Sequence, residues 1–254
     1  MHKGLASPSL LETYNVERQP VGAGIIARAN QAFRDHVHVW DALGALPSDV
    51  TERRKFFREL SENSPEGKKR RRALREAIKG VGHEFHGLGI EMGQHYTGSA
   101  IYDRDESESF SLSGRAAEDP VYYHEPNTYP GSRLPHVWLN KAVPTTPTST
   151  IDLAGHGRFT LFTGIGGDAW KAAAKKISAD MGVQIDAHSI GYRQDWEDVY
   201  FDWEALSGVD ESGAVLVRPD RFVAWRITEV LGSADECTAR LTQVMRSVLG
   251  FFDA

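Results

Sequence analysis

The chain has 254 residues, of which 41% are hydrophobic and 25% are charged, and its formal net charge at pH 7 is -6. This composition is typical of a soluble globular protein, and the acidic balance argues against nucleic acid or an anionic membrane as the main partner. The single cysteine, Cys237, excludes an internal disulfide and any CxxC redox or zinc motif. Because the sequence has no apolar run typical of a membrane span or a signal peptide, we expect a cytoplasmic protein.

The first eighty residues have a helical pattern. Pro8 is typical of the first turn of a helix, whereas Pro20 predicts a break because proline cannot donate the hydrogen bond of a continuing helix. The next amphipathic helix is predicted to end at Gly44. Two further helices are predicted, one from Ser48 or Asp49 to about Leu60 and one from Ser64 onwards.

Residues 80–135 are rich in Gly, Ser, Asp, Glu and Pro. They contain one segment with strand character, Tyr96 to Tyr102, and an acidic stretch, Asp103 to Asp119, that predicts a mobile loop. We place the domain boundary at the end of this region. The prediction is a helical portion with an irregular linker over residues 1–125 and an α/β domain over residues 126–254.

From residue 133 onwards, strands and helices alternate. The pattern predicts strands at 134–139, 149–153, 159–164, 183–190, 214–217 and 222–227, and helices capped by Asp168, around Trp196 to Trp203, and from Ala234 to Leu249. The order β-β-α-β-α-β-β-α predicts a thioredoxin-like domain of the α/β class. Such a domain has a mixed sheet, helices on both faces and a final hairpin followed by a helix.

Three polar motifs could carry chemistry, and for each we favour a structural interpretation. Gly164 to Asp168 joins a strand to a helix, but its spacing is not that of a nucleotide-binding loop and Asp168 would repel a phosphate. We therefore expect a tight turn. His83 and His86 have a spacing compatible with metal ligands, although the glycines around them argue against a rigid helix. Lys68 to Arg72 is expected to be the solvated face of a helix rather than a nucleic-acid site.

Five segments of the sequence, in this order, resemble one protein family. They are Leu10–Val21, Glu91–Tyr96 with Ser99–Ile101, Pro130–Leu139, Ser149–Leu153 through Gly157–Gly164, and Leu216–Arg226. Together they resemble the C-terminal part of class A FAD-dependent aromatic hydroxylases, in the group of phenol 2-monooxygenase and 2,4-dichlorophenol 6-monooxygenase. The first segment resembles the "tyrosine, then Glu-Arg-x-Pro" helix that closes the FAD domain in that family.

The resemblance implies that the full-length enzyme uses FAD, NADPH and dioxygen to hydroxylate a phenol ortho to its hydroxyl group. It also implies that the thioredoxin-like domain contributes to packing and to contacts within a homo-oligomer rather than to catalysis. The family's G-x-G-x-x-G fingerprint is absent from this sequence. The family residues that position the phenol likewise belong to sequence upstream of the matching segments. No residue of this chain is therefore assigned a catalytic, cofactor-binding or metal-binding role, and Cys237 is expected to be a buried, unreactive thiol.

In this family motif, Glu17 and Arg18 are expected to pair with polar groups of the FAD domain, so in this chain alone they should form an unsatisfied surface. The leading hypothesis is a C-terminal fragment of a FAD-dependent phenol monooxygenase that is itself non-catalytic. The alternative is a free-standing thioredoxin-fold module without redox chemistry that mediates oligomerisation or partner binding. An exposed apolar face on the tyrosine helix would favour the fragment, and a fully packed helix would favour the module.

Overall fold

The computed structural model describes residues 3–251. The helices are α1 Leu10–Leu43, α2 Val50–Glu59, α3 Pro65–Phe85, α4 Leu88–Met92, α5 Gly114–Glu118, α6 Thr150–Leu153, α7 Asp168–Met181, α8 Asp202–Leu206 and α9 Ala234–Val248. The strands are β1 Trp138–Asn140, β2 Thr148–Ser149, β3 Phe159–Thr163, β4 Ile185–Ser189, β5 Glu197–Asp198, β6 Ala214–Val217 and β7 Val223–Ile227.

The described residues group into two compact units. The first contains residues 3–19, 93–113 and 125–251, and the second contains Pro20–Met92 and Gly114–His124. This grouping differs from the sequence-based division after residue 125, because the segments 3–19 and 93–113 pack within the first unit. Among the residues from 3 to 251, no helix has the length and apolar character needed to cross a membrane.

The first unit is built on a four-stranded mixed sheet with the order β4-β3-β6-β7. Strand β3 is parallel to β4, whereas β6 is antiparallel to both β3 and β7. Helix α7 connects the two parallel strands, and α9 follows the β6–β7 hairpin. This is the thioredoxin-like arrangement predicted from the sequence, and the α/β class is confirmed.

Strand β6 shows how both faces of this sheet are covered. Ala214 and Leu216 belong to the apolar cluster formed with α7 and α9, whereas Val215 and Val217 belong to a second cluster that includes Trp203 of α8. All four strand residues are fully buried. A strand buried on both faces is apolar at every position, as this one is. Helices therefore lie on both faces of the sheet, as expected.

A second, three-stranded sheet has the order β2-β1-β5. The predicted strand 149–153 is mostly wrong, because only Ser149 lies in β2 and a capping box between Ser149 and Asp152 starts α6. The predicted helix at 196–203 is also wrong. Residues 197 and 198 instead pair with β1, and Phe201, with φ +60°, lies outside right-handed helical geometry directly before α8.

The helices of the second unit begin and end largely at the expected residues. Asp49 and Ser64 cap α2 and α3 by accepting hydrogen bonds from backbone amides, and Gly44 follows α1 with φ +75°. The expected break at Pro20 is wrong, since α1 continues through it. The carbonyl of Val16, which loses its donor, belongs to an exposed residue, so water can replace that donor.

The segment Tyr96 to Tyr102 does not form a strand. Residues 96, 98, 100 and 102 are buried in alternation with less buried neighbours, which is the pattern that predicted a strand. However, the amide of Tyr96 donates to Gly131 and that of Tyr102 to Ala224, and a turn between Gly98 and Ile101 separates them. The alternation therefore reflects burial without a continuous ladder of strand hydrogen bonds.

Candidate functional site

The first turns of α1, which carry the Glu-Arg motif, are fixed to the β6–β7 hairpin by a buried ion pair. Nη1 and Nη2 of Arg218 donate to the two carboxylate oxygens of Glu17 at 2.6 and 2.8 Å. The Glu17 side chain is only 4% exposed. Burial opposes the charge of Arg218, but the hydrogen bonds to Glu17 and the charge of Asp220 outweigh it and raise the pKa of the guanidinium.

Aromatic residues complete this ion-pair site. Nη1 of Arg18 donates to the hydroxyl of Tyr96 at 2.6 Å, and the Tyr96 ring stacks on Phe222 with 3.9 Å between the ring centroids. The guanidinium of Arg218 lies 5.5 Å from the centroid of the Tyr96 ring. The expectation that Glu17 and Arg18 lack partners is therefore wrong. Their partners, Tyr96 and Arg218, lie in the same unit, and no local sequence pattern indicated either pairing.

The acidic segment 103–113 is a loop, but paired charges hold it against the first unit. Asp105 accepts hydrogen bonds from Nε1 of Trp225 at 2.7 Å and from Arg240 at 3.1 Å. Glu106 forms a bidentate pair with Arg226, with both distances 2.8 Å. The loop prediction for 103–119 is confirmed over residues 103–113 and wrong over residues 114–118, which form α5. The bonds link the negative charges of the loop to β7 and α9, and the mobility of the loop stays a prediction.

The part of α1 in the second unit has an exposed apolar stripe. It consists of Ile25, Ile26, Phe33, Val37 and Trp40, whose exposed fractions range from 39% to 68%. At 100° per residue, these five positions fall within an arc of about 120° on one side of the helix. Contiguous exposed apolar surface of this kind marks a binding surface more often than single exposed residues do.

The loop between β3 and α7 is a tight turn, as predicted. The amide of Gly167 donates to the carbonyl of Gly164 at 3.1 Å, and Gly166 has φ +85°. A Cβ atom on Gly164 would lie 2.5 Å from the carbonyl oxygen of Glu211. The expectation that Asp168 caps α7 is wrong, because the capping position is Gly167, which offers no side-chain hydrogen bond.

This turn borders a cavity of about 520 Å³, within the size range of ligand sites. Its lining has no lysine or arginine and includes five acidic residues, Glu197, Asp198, Glu204, Asp210 and Glu211. Carboxylates repel a pyrophosphate. The residues that line this cavity therefore do not fit the pyrophosphate of FAD. The cavity lies beside the glycine-rich strand-to-helix loop that was considered as a phosphate site.

The two histidines considered as metal ligands have other roles. His83 lies within α3, which continues through the glycines that were expected to interrupt it, and its Nε2 atom is 2.6 Å from Oδ2 of Asp119. The hydrogen bond to His83 lowers the pKa of Asp119. The ring of His86 packs on Tyr122 at 5.3 Å. In the part of the chain that is described, no group of three His, Cys, Asp or Glu residues could hold a metal ion.

The basic run is solvated only in part. Lys68, Lys69 and Arg72 are exposed, but Arg70 pairs with Glu59 at 3.1 Å, and Arg71 donates to two backbone carbonyls after α2. The run therefore also fixes the connection between α2 and α3. Cys237 is fully buried as expected, and burial raises the pKa of its thiol.

Comparison with known families identifies the family of the α/β domain in the first unit. Residues 127–251 match the family model described as "Aromatic-ring hydroxylase, C-terminal". The chain belongs to the aromatic-ring hydroxylase family.

The relatives extend this similarity to nearly the whole chain. Phenol 2-monooxygenase of Pseudomonas sp. (strain EST1001) is 40% identical over 236 residues, which cover 92% of this chain and 37% of that protein. The 2,4-dichlorophenol 6-monooxygenase of Delftia acidovorans is 38% identical over 246 residues, covering 96% of this chain and 41% of that protein. The crystal structure of the flavin-dependent monooxygenase PieE with FAD and substrate has a TM-score of 0.86 and 37% identity, covering 99% of this chain and 42% of that one.

These findings confirm the family resemblance seen in the five sequence segments. The chain spans only about two fifths of the length of each of these proteins. The flavin named in the PieE complex is bound by a protein more than twice as long as the region that matches.

Proposed function

We propose that this chain is the C-terminal part of a FAD- and NADPH-dependent phenol monooxygenase of the chlorophenol type, and that it is structural rather than catalytic by itself. In this proposal, ortho-hydroxylation of a phenol requires a flavin-binding polypeptide in addition to these 254 residues. The identities of 38% to 40% to phenol and dichlorophenol monooxygenases support the substrate class. The proposal includes a cytoplasmic location, with which the single free cysteine is consistent.

The exposed stripe on α1 is the observation that carries this proposal. Phe33 is 68% exposed and Ile26 is 64% exposed, although full burial of such a side chain contributes about 1.5 to 3 kcal/mol. A helix that belongs to a self-sufficient module would bury this stripe in its own core. We infer that the stripe packs against the flavin-binding polypeptide, whether that polypeptide is part of a longer chain or a separate subunit.

The buried pair between Glu17 and Arg218 supports the same role. It fixes the first turns of α1 to the thioredoxin-like sheet through a bidentate contact. A bidentate arginine–carboxylate pair sets an orientation as well as an energy. The domain would thus hold the first turns of the tyrosine helix, residues 10–19, against its own sheet, and contacts between copies of the chain would use other parts of the domain surface.

Two measurements test the proposal. The purified chain should have no flavin absorbance in the visible region, and bound yellow chromophore would contradict the proposal directly. Co-expression with the flavin- and substrate-binding part of phenol 2-monooxygenase should then restore phenol-dependent NADPH oxidation and catechol formation, which neither part gives alone.

Paired substitutions on α1 locate the contact. Phe33→Asp places a charge on the stripe and should abolish the restored activity, whereas Ala27→Asp on the opposite side of the helix should retain it. Both positions are exposed, and circular dichroism can verify that both variants stay folded. Equal activity of the two variants would show that the stripe is not the contact surface.

A non-redox thioredoxin-fold module is the second candidate. The first unit favours it, because Trp170, Trp225 and Phe162 are all fully buried in complete apolar clusters. Such a module would form oligomers or bind partners without ever supporting phenol-dependent NADPH oxidation. Failure of the co-expression experiment together with a stable oligomer of the chain alone would favour this candidate.

A further inference from the structure

Helix α2 forms part of the second unit without a buried residue of its own. It has ten residues, and isolated helices of that length are marginal in water. One side is partly supported, since the guanidinium of Arg70 lies 4.2 Å from the centroid of the Phe56 ring. The other side is open, with Val50 47% and Phe57 67% exposed.

The open side of α2 combines apolar and cationic residues. Val50, Arg53, Arg54, Phe57 and Arg58 are spaced i, i+3, i+4, i+7 and i+8, which places them on one helical face. This face lines one side of a groove of about 850 Å³. Residues at the end of α1 and after α2 line the remainder, namely Leu43, Gly44, Ala45, Leu60 and Ser61. We refer to these ten residues as the arginine-rimmed groove.

The cationic charges of the groove are largely uncompensated. Arg53 donates to the carbonyl of Pro47, and within residues 3–251 neither Arg54 nor Arg58 has an ion-pair partner. The nearest acidic residues on α2 do not line the groove, and Glu59 is engaged by Arg70. The groove lining therefore combines three arginines with apolar residues and includes no carboxylate.

We propose that the arginine-rimmed groove binds an acidic peptide segment that carries an apolar side chain. The apolar side chain would cover Phe57 and Val50, and flanking carboxylates would form paired hydrogen bonds with Arg54 and Arg58, a geometry that guanidinium groups favour. Helix-in-groove recognition combines apolar anchors with charge complementarity in this way. This binding surface is separate from the apolar stripe of α1, and the inference does not depend on the function proposed above.

The shape of the surface favours a peptide over a membrane or a nucleic acid. Helices that bind a bilayer surface usually present a longer amphipathic face, whereas this face belongs to a helix of only ten residues and lines one side of a shallow groove. Nucleic acids are bound chiefly through phosphate contacts and stacking. Phosphates could contact the arginines but would leave the apolar lining residues uncovered, and the net charge of -6 on the chain as a whole disfavours a polyanion.

The test uses the full chain and a fluorescein-labelled synthetic peptide in which glutamate and leucine alternate. Fluorescence anisotropy should show saturable binding that weakens at high salt, and a peptide with glutamine in place of glutamate should bind at least tenfold more weakly. The variant R54E/R58E should also lose at least tenfold in affinity. R72E/R75E is the matched control, because it reverses two exposed charges on α3 that do not line the groove, and it should bind like the unchanged chain.

Phe57→Ser separates the apolar contribution from the charges, since it leaves every arginine in place and should weaken binding several-fold. Equal weakening by R54E/R58E and R72E/R75E would overturn the proposal in favour of non-specific attraction. Absence of peptide binding would also overturn it. Selective binding to vesicles containing phosphatidylglycerol, without peptide binding, would assign the groove to a lipid surface instead. Circular dichroism of each variant verifies that the helices remain intact.

Discussion

Replacing Glu17 with Gln tests whether the buried ion pair fixes α1 to the sheet. The two side chains are 4% and 12% exposed, so the substitution leaves the Arg218 charge in a poorly hydrated position. Removing one partner of a buried pair costs about 3 to 5 kcal/mol. Asp220 still neutralises part of the Arg218 charge at 2.7 Å, and the amide keeps one acceptor oxygen. We therefore expect a loss of about 2 to 3 kcal/mol in the free energy of unfolding.

The assay is urea denaturation followed by the near-ultraviolet circular dichroism of the buried tryptophans. Asp180→Asn is the matched control, because it removes a charge from the Lys176 pair, whose side chains are 61% and 58% exposed, and it should cost less than about 0.5 kcal/mol. A double-mutant cycle of Glu17→Gln with Arg218→Met isolates the pair energy. If Glu17→Gln costs no more than the control, or if the coupling energy is near zero, the pair does not hold the helix.

Three further predictions concern other parts of the chain. Gly44→Ala should destabilise the protein by about 1 to 3 kcal/mol in urea denaturation. Gly44 has φ +75°, and a Cβ atom there would clash with Cβ of Phe56. Gly24→Ala is the control, because Gly24 lies inside α1 with free space around it, and it should stabilise the protein by about 0.5 to 1 kcal/mol. Burial lowers the pKa of His95 to about 4, so unfolding takes up a proton between pH 6.5 and pH 4. The free energy of unfolding should therefore fall by about 1 to 2 kcal/mol, after allowance for solvent screening, as the pH is lowered from 6.5 to 4. Urea denaturation at several pH values measures this loss, and an equal loss in the His95→Gln variant would refute the prediction. Cys237, being buried with a raised pKa, should react with a thiol reagent only as fast as the protein unfolds, and rapid labelling of the native chain would contradict this.

The elements of the thioredoxin-like sheet could be predicted because each has a strong local signal. The apolar runs 214–217 and 222–227 predicted the β6–β7 hairpin, and the spacing of Cys237, Leu241 and Val248, all of which are buried, is typical of the inward face of a helix such as α9. These patterns repeat at the periods of the strand or the helix that contains them. Such periods predicted the four strands of this sheet and the helices α7 and α9.

The contacts that define the candidate site have no such local signal. Glu17 and Arg218 are 201 residues apart in sequence, and neither residue's neighbours indicate its partner. Pro20 is the opposite case. The rule that proline interrupts a helix gave a clear local prediction, and yet α1 continues through Pro20. There the rest of the helix supplies more favourable free energy than one missing hydrogen bond removes. Tyr96 illustrates a third case, in which alternating burial resembles a strand but arises from packing alone.

The pairing of Glu17 with Arg218 also bears on how the protein is made. Ribosomes add about 5 to 20 residues per second, so Glu17 leaves the ribosome roughly 10 to 40 seconds before its partner, which follows 201 residues later. During that interval Glu17 on the tyrosine helix lacks its ion-pair partner, Arg218. Strand β6, which directly precedes Arg218 in the sequence, is also still missing. Chaperones and interrupted translation would therefore have their greatest effect on the first helix of the chain, although its last stabilising contacts come from residues near the other end.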